Sequence, residues 1–173
     1  MAKTVALVIA AKTFRDEEYQ IPKNILERMG IKVITVSTTL GLAEGKLGLK
    51  VQPDILLPEL TGKQLDALIF VGGGGSCQYF EDKTAHELAW NFYNQGKIVG
   101  AICIAPVILA NAGLLKDRKA TVFPDGSDKL QAGGAIYTGG MVEVDGRIIT
   151  GCGPEAAEKF GNELVKLLLE NQD

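Results

Sequence analysis

Ile98-Val99-Gly100-Ala101-Ile102-Cys103-Ile104-Ala105-Pro106 is the stretch that decides the fold. Ile98 to Ile102 has no alternating polar residue, so it reads as a strand buried on both faces. Ala105 to Ala112 then reads as a helix. Pro106 fits its first turn, where a missing N–H costs nothing, and Gly113 stops it. Cys103 falls on the turn between the two. Working outward, the same alternation recurs. Val5 to Ala11 is a buried strand. Glu17 to Met29 is a helix with Ile21, Ile25, Leu26 and Met29 on one face and Gly30 as its stop. Lys32 to Thr38 is a strand rich in Val, Ile and Thr. Gly41 to Pro58 reads as loop with a short extended piece near Val51. Ala67 to Val71 is a buried strand that runs into Gly72 to Gly75. Asp82 to Asn94 is a helix with Ala85, Leu88 and Phe92 inward. Ala120 to Phe123 is a short strand. Val142 to Val144 and Arg147 to Thr150 flank the hairpin signal Asp145-Gly146. Glu155 to Glu170 is a closing amphipathic helix. Strands alternating with helices predict an α/β fold with a mostly parallel sheet covered on both faces. Ligands then belong at the carboxyl ends of the strands.

The chain has 173 residues, which predicts one domain, 1–173. With 46% hydrophobic and 23% charged residues it has an ordinary globular balance. That excludes a disordered tail, a collagen-like repeat and a coiled-coil rod. A net charge of -3 without a basic block argues against nucleic acid. No apolar run approaches the roughly 20 residues of a membrane helix. Cys77, Cys103 and Cys152 are too few and too widely spaced for a disulfide framework. One histidine and no C-x-x-C pair argue against a metal site. The apolar start is read as a buried strand rather than a signal peptide. A cytoplasmic protein with reduced thiols is expected.

Cys103 is the candidate for chemistry. A nucleophile on a tight strand-to-helix turn needs small residues two positions before and after it, and Ala101 and Ala105 meet that need. The helix N-terminus there favours thiolate. A buried core cysteine would give the same letters. Gly72 to Gly75 fits neither a dinucleotide fingerprint nor a P-loop, since no Gly-Lys-Ser/Thr follows. Its bare N–H groups suit an oxyanion hole, or it is a turn. Asp16, Glu17 and Glu18 all stand near the first strand end, and spacing does not choose among them. A glutamate beside a thiolate must be protonated, or the two charges repel. His86 is read as a solvated helix residue, Cys77 as packing rather than a second reactive thiol, and Cys152 is given no role. Asp125 and Asp128 are weak candidates for a pocket rim.

Four motifs in order resemble the DJ-one/PfpI (ThiJ/PfpI) superfamily of the class I glutamine-amidotransferase-like fold. They are Glu18-Tyr19-Gln20-Ile21-Pro22, Asp66 to Val71 followed by Gly72-Gly73, the cysteine stretch Gly100 to Pro106, and Gly153-Pro154 before the last helix. The resemblance implies a flavodoxin-like three-layer sandwich with a nucleophile elbow. It implies Cys103 as nucleophile, Glu18 as its acid/base, and the N–H groups of Gly73 and Ile104 as the oxyanion hole. Gly74, Cys77, Phe123 and Pro124 are expected to line the pocket. Homodimers or larger homo-oligomers are usual in such a family.

Two departures matter. Peptidase members carry histidine where Ile104 stands, and related members carry histidine where Phe123 stands. The resemblance therefore implies a Cys–Glu enzyme without cofactor or metal, acting on small α-oxoaldehydes as a glyoxalase or deglycase. The alternatives are an oxidative-stress-sensing or protective thiol protein and, disfavoured by Ile104, an intracellular peptidase or amidase. Ile104 and Phe123 predict an apolar pocket wall that rejects strongly charged substrates.

Overall fold

The computed structural model describes residues 2–170. In chain order the elements are β1 (Thr4–Val8), β2 (Lys12–Phe14), α1 (Asp16–Arg28), β3 (Lys32–Ser37), β4 (Ala43–Gly45), β5 (Lys50–Val51), β6 (Ile55–Leu56) and β7 (Ala67–Phe70). There follow α2 (Lys83–Asn94), β8 (Ile98–Ile102), α3 (Pro106–Asn111), β9 (Lys119–Ala120), α4 (Ser127–Ala132), β10 (Ile136–Tyr137), β11 (Val142–Asp145), β12 (Ile148–Gly151) and α5 (Ala157–Glu170). Seven strands form one sheet in the order β11-β12-β8-β7-β1-β3-β6. All its pairs are parallel except the hairpin β11–β12.

The apolar runs are continuous because both faces are covered. Along β1, Val5 and Leu7 pack on the side of α1 and α5, with Ile25, Leu26, Phe160 and Leu164. Ala6 and Val8 pack on the other side, with Leu88, Phe92, Val107, Ile108 and Leu130 from α2, α3 and α4. The expected three-layer sandwich is therefore present. Helix α2 starts one residue inside the expected span, because the Asp82 side chain accepts the Ala85 N–H (3.1 Å) as its N-cap. Among the described residues no helix is long and apolar enough to cross a membrane.

The structure corrects two expectations. The strand expected over Ala120 to Phe123 is only Lys119–Ala120, paired with β10. Beyond it the ladder ends, because the Thr121 N–H donates to the Thr150 hydroxyl (3.0 Å) and the Phe123 N–H to the Cys103 carbonyl (2.7 Å). The expected loop Gly41 to Pro58 contains β4 and β5, which form a small sheet with β2, and β6 on the edge of the main sheet. Sequence reading also passed over β2, α4 and β10, all six residues or shorter.

Candidate active site

The sheet delivers its carboxyl ends to one place. The Arg15 N–H donates to the Gly72 carbonyl (2.9 Å), which ties the start of α1 to the end of β7. The Cys103 N–H donates to the Gly151 carbonyl (2.9 Å), which ties the elbow to β12. Cys103 has φ 65°, in the left-handed region. For a residue with a Cβ this costs about 1–2 kcal/mol. The bonds at its N–H and carbonyl hold it there.

The three acids that open α1 have separate partners. Asp16 accepts from the N–H groups of Leu47 (2.9 Å) and Leu49 (2.8 Å). Glu17 holds the Arg15 guanidinium at 2.9 Å. Glu18 is buried, 1% exposed, and is the acid that reaches the thiol. A Cβ on Gly72 would lie 2.5 Å from Glu18 Oε1 and 2.6 Å from the Cys103 Cβ. The carboxyl and the thiol therefore meet across the one position that carries no side chain. Pro22, four residues after Glu18, removes the N–H that would bond the Glu18 carbonyl in a regular helix.

Neither Glu18 carboxyl oxygen has a hydrogen-bond partner of full geometry. The Cys103 thiol and the Gly72 N–H lie close enough to act on it as weak hydrogen-bond donors. Burial pushes Glu18 up to about 7, against the smaller lowering effects of Cys103, the Arg15 charge and Gly72. Burial also pushes Cys103 up to about 12, and the Glu18 charge adds to it. The N–H groups of Gly73 and Ile104 pull the thiol back down. The N–H groups at the turn act in the expected direction, toward thiolate, but burial and an ionised Glu18 outweigh them. The two groups titrate as a pair. The pair holds one negative charge above about 7, and the doubly charged state is suppressed until about 12. A thiolate exists where Glu18 keeps the remaining proton.

A cavity of about 270 Å³ opens on the thiol. Ile104, Phe123 and Pro154 form its apolar part, with Gly73 and Gly74 presenting backbone. Gly73 has φ 100°, and a Cβ there would strike the Thr13 carbonyl and the Arg15 nitrogen. Gly74 and Phe123 thus line the cavity as expected, while Cys77 and Pro124 do not. Cys77 is exposed and borders a separate hollow with Phe80 and Lys129. At the other position it is Asp125, next to Pro124, that reaches the lining, while Asp128 stays outside it. Sequence reasoning missed Arg15 and Lys46, so the apolar wall of Ile104 and Phe123 shares the lining with two cations, which weakens the expected rejection of charged substrates. His86 lies outside the lining and pairs its Nε2 with the Phe80 carbonyl (2.8 Å). Cys152, half-buried, has its thiol pushed up by burial. Among the described residues no three His, Cys, Asp or Glu side chains converge to hold a metal ion.

Fold and site define an α/β sandwich with a strained cysteine elbow and a buried glutamate against it. The sequence profile of the DJ-1/PfpI family matches residues 3–167, and the chain belongs to that family. It is 42% identical over 172 residues to an uncharacterized protein of Methanocaldococcus jannaschii, covering 98% of this chain and 84% of the relative. It is 32% identical to a deglycase of Pyrococcus abyssi, covering 94% and 98%. It is 26% identical to a glutathione-independent glyoxalase of Caenorhabditis elegans, covering 96% and 89%. The crystal structure of a ThiJ/PfpI domain protein from Brachyspira murdochii superposes with TM-score 0.93 at 32% identity, covering 98% of both chains.

Proposed function

We propose that the chain is a cofactor-independent enzyme of the glyoxalase or deglycase type, with Cys103 as nucleophile and Glu18 as acid/base. One observation carries this reading: a buried carboxyl without a full hydrogen-bond partner stands against the elbow thiol and keeps its proton up to about 7. A structural carboxylate would be paired; a proton carrier must be free to exchange. The relatives named deglycase and glyoxalase support the same chemistry.

The Cys103 thiolate attacks the aldehyde carbon of an α-oxoaldehyde and forms a C–S bond. The oxyanion that develops is met by the Gly73 and Ile104 N–H groups, which already point at the sulfur. Glu18 protonates the adduct. As carboxylate it then takes the proton from the aldehyde carbon and delivers it to the neighbouring carbonyl carbon, while the hydroxyl proton of the hemithioacetal passes to the former ketone oxygen. The hemithioacetal becomes the thioester of a 2-hydroxy acid. Water cleaves the C–S bond, releasing the acid and restoring the thiolate. The sum is aldehyde plus water to hydroxy acid, with no external oxidant. The peptidase reading loses its base, because the one histidine of the chain, His86, lies outside the cavity lining.

The test is lactate formation from methylglyoxal without added thiol. Wild type is expected to form lactate, and Cys103→Ser to form none above background. Equal rates from both would refute the reading.

A further inference from the structure

Outside the reacting pair, the lining carries three ionic groups: Arg15 and Lys46 as cations, and Asp125 as the one acid. Glu17, which neutralises part of Arg15, is not in the lining. Its bonds take Arg15 Nε and one terminal nitrogen; the other, Nη1, has no partner among the described residues. The Lys46 ammonium likewise has no ion pair or hydrogen bond among them. Lys46 is exposed, but its backbone is fixed. Its N–H donates to the Phe14 carbonyl (2.9 Å), and the next turn of the loop is clamped by Asp16 through Leu47 and Leu49. A Cβ on Gly45 would fall 2.5 Å from Asp16 Oδ1, so the clamp closes only over glycine. Buried Asp16, 8% exposed, thus holds Lys46 at the cavity that Arg15 also lines, although the two cations are 31 residues apart along the chain.

We propose that the preferred substrate carries an anionic group, a carboxylate or a phosphate, on the chain beyond its reacting carbonyl, and that Arg15 and Lys46 receive it. Outside the reacting pair, two cations line the cavity against one acid, and both cations have unused donors. The apolar patch of Ile104, Phe123 and Pro154 leaves room for a short carbon chain between that anion and the thiol. Lys46 is the specificity residue, and Asp16 a positioning residue for it. The proposal rests on the reading of Cys103 as the reacting group.

The first arm compares methylglyoxal with two anionic α-oxoaldehydes, 4,5-dioxopentanoate and the phosphate ester of 3-hydroxy-2-oxopropanal. Wild type is expected to favour one anionic aldehyde in kcat/KM by about five- to tenfold, the size expected of one net hydrogen bond made at a solvent-exposed site. The better of the two identifies carboxylate or phosphate. Lys46→Met is expected to reduce that ratio to near one, and Lys46→Glu to invert it. Equal kcat/KM for all three aldehydes in wild type would overturn the proposal.

The second arm needs no turnover. The alkylation rates of Cys103 by iodoacetate and by iodoacetamide are measured by mass spectrometry, with Cys77 as internal control. The iodoacetate-to-iodoacetamide ratio at Cys103 should fall at least fivefold in Lys46→Met and stay constant at Cys77. A ratio unmoved at Cys103 overturns the anion site. A ratio that falls while no aldehyde is consumed keeps the anion site and refutes the enzymatic reading.

Discussion

Glu18→Gln separates the two consequences of burying an acid beside a thiol. In the folded chain the carboxyl titrates at about 7 instead of 4.5. The group is only 1% exposed, so solvent screens little of the effect. At 1.36 kcal/mol per pH unit, the gap is worth about 3 kcal/mol as a ceiling. The sign follows from proton counting. Between 4.5 and 7 the folded state binds more protons than the unfolded state, so stability falls as pH rises. The contribution is complete below about 4.5 and lost above about 7. Gln has nearly the same shape and does not titrate. Urea unfolding of both forms at pH 4.5, 6 and 8 is the assay. The stability of Glu18→Gln relative to wild type should rise by about 2–3 kcal/mol from pH 4.5 to 8. A constant cost from the unpaired amide is expected at every pH and cancels in that comparison. The same substitution removes the Glu18 charge from the thiol, so Cys103 should alkylate faster with iodoacetamide at pH 8, while lactate formation is lost. A stability difference that moves by less than about 0.5 kcal/mol over this range would refute the assignment of a neutral, buried Glu18. Retained turnover would refute its role as proton carrier.

Gly72→Ala should abolish turnover, because its Cβ would sit 2.5 Å from Glu18 Oε1 and 2.6 Å from the Ile102 carbonyl oxygen. The overpacking should also cost about 1–3 kcal/mol in urea unfolding, and activity within threefold of wild type would contradict the geometry. Tyr79→Phe removes a buried bond to the Ile9 carbonyl (2.8 Å), which keeps the Ser37 hydroxyl (2.8 Å), so about 1 kcal/mol should be lost. Adding Ser37→Ala orphans that carbonyl, and the double variant should lose more than the sum of the singles by denaturant titration.

What the sequence made legible follows from where its information is local. The strands β1, β7 and β8 are buried on both faces, so their apolar runs have one reading, and Cys103 ends such a run. The elbow announced itself through Ala101, Ala105 and Pro106, since a tight turn restricts its neighbours. The choice among Asp16, Glu17 and Glu18 was not local. Three consecutive acids on a first turn are equivalent until the loop at Leu47 claims one and Arg15 claims the next. Lys46 was invisible for the same reason. Its place at the cavity depends on a loop closing onto Asp16, and nothing in Gly45-Lys46-Leu47 says where that loop folds. β9 failed differently: Thr121 and Phe123 have strand propensity, but their N–H groups are spent on Thr150 and Cys103.

These departures from local rules converge on a few ångströms. A left-handed cysteine, a buried carboxyl without a full partner, and a glycine that admits no Cβ would each be a cost anywhere else in the fold. Their coincidence has a chemical consequence that none has alone. In the proposed mechanism the strain presents the sulfur, the missing Cβ lets the carboxyl approach it, and the lack of a full partner leaves one proton to pass between them. A better-paired Glu18 would be a permanent carboxylate, and its charge would hold Cys103 as a thiol. A more solvated Glu18 would ionise near 4.5 and do the same. Burial this deep lifts the Glu18 carboxyl to about 7, so near neutral pH it is part-protonated, and in the proposed reaction that neutral form is what lets charge pass to the sulfur beside the Gly73 and Ile104 N–H groups.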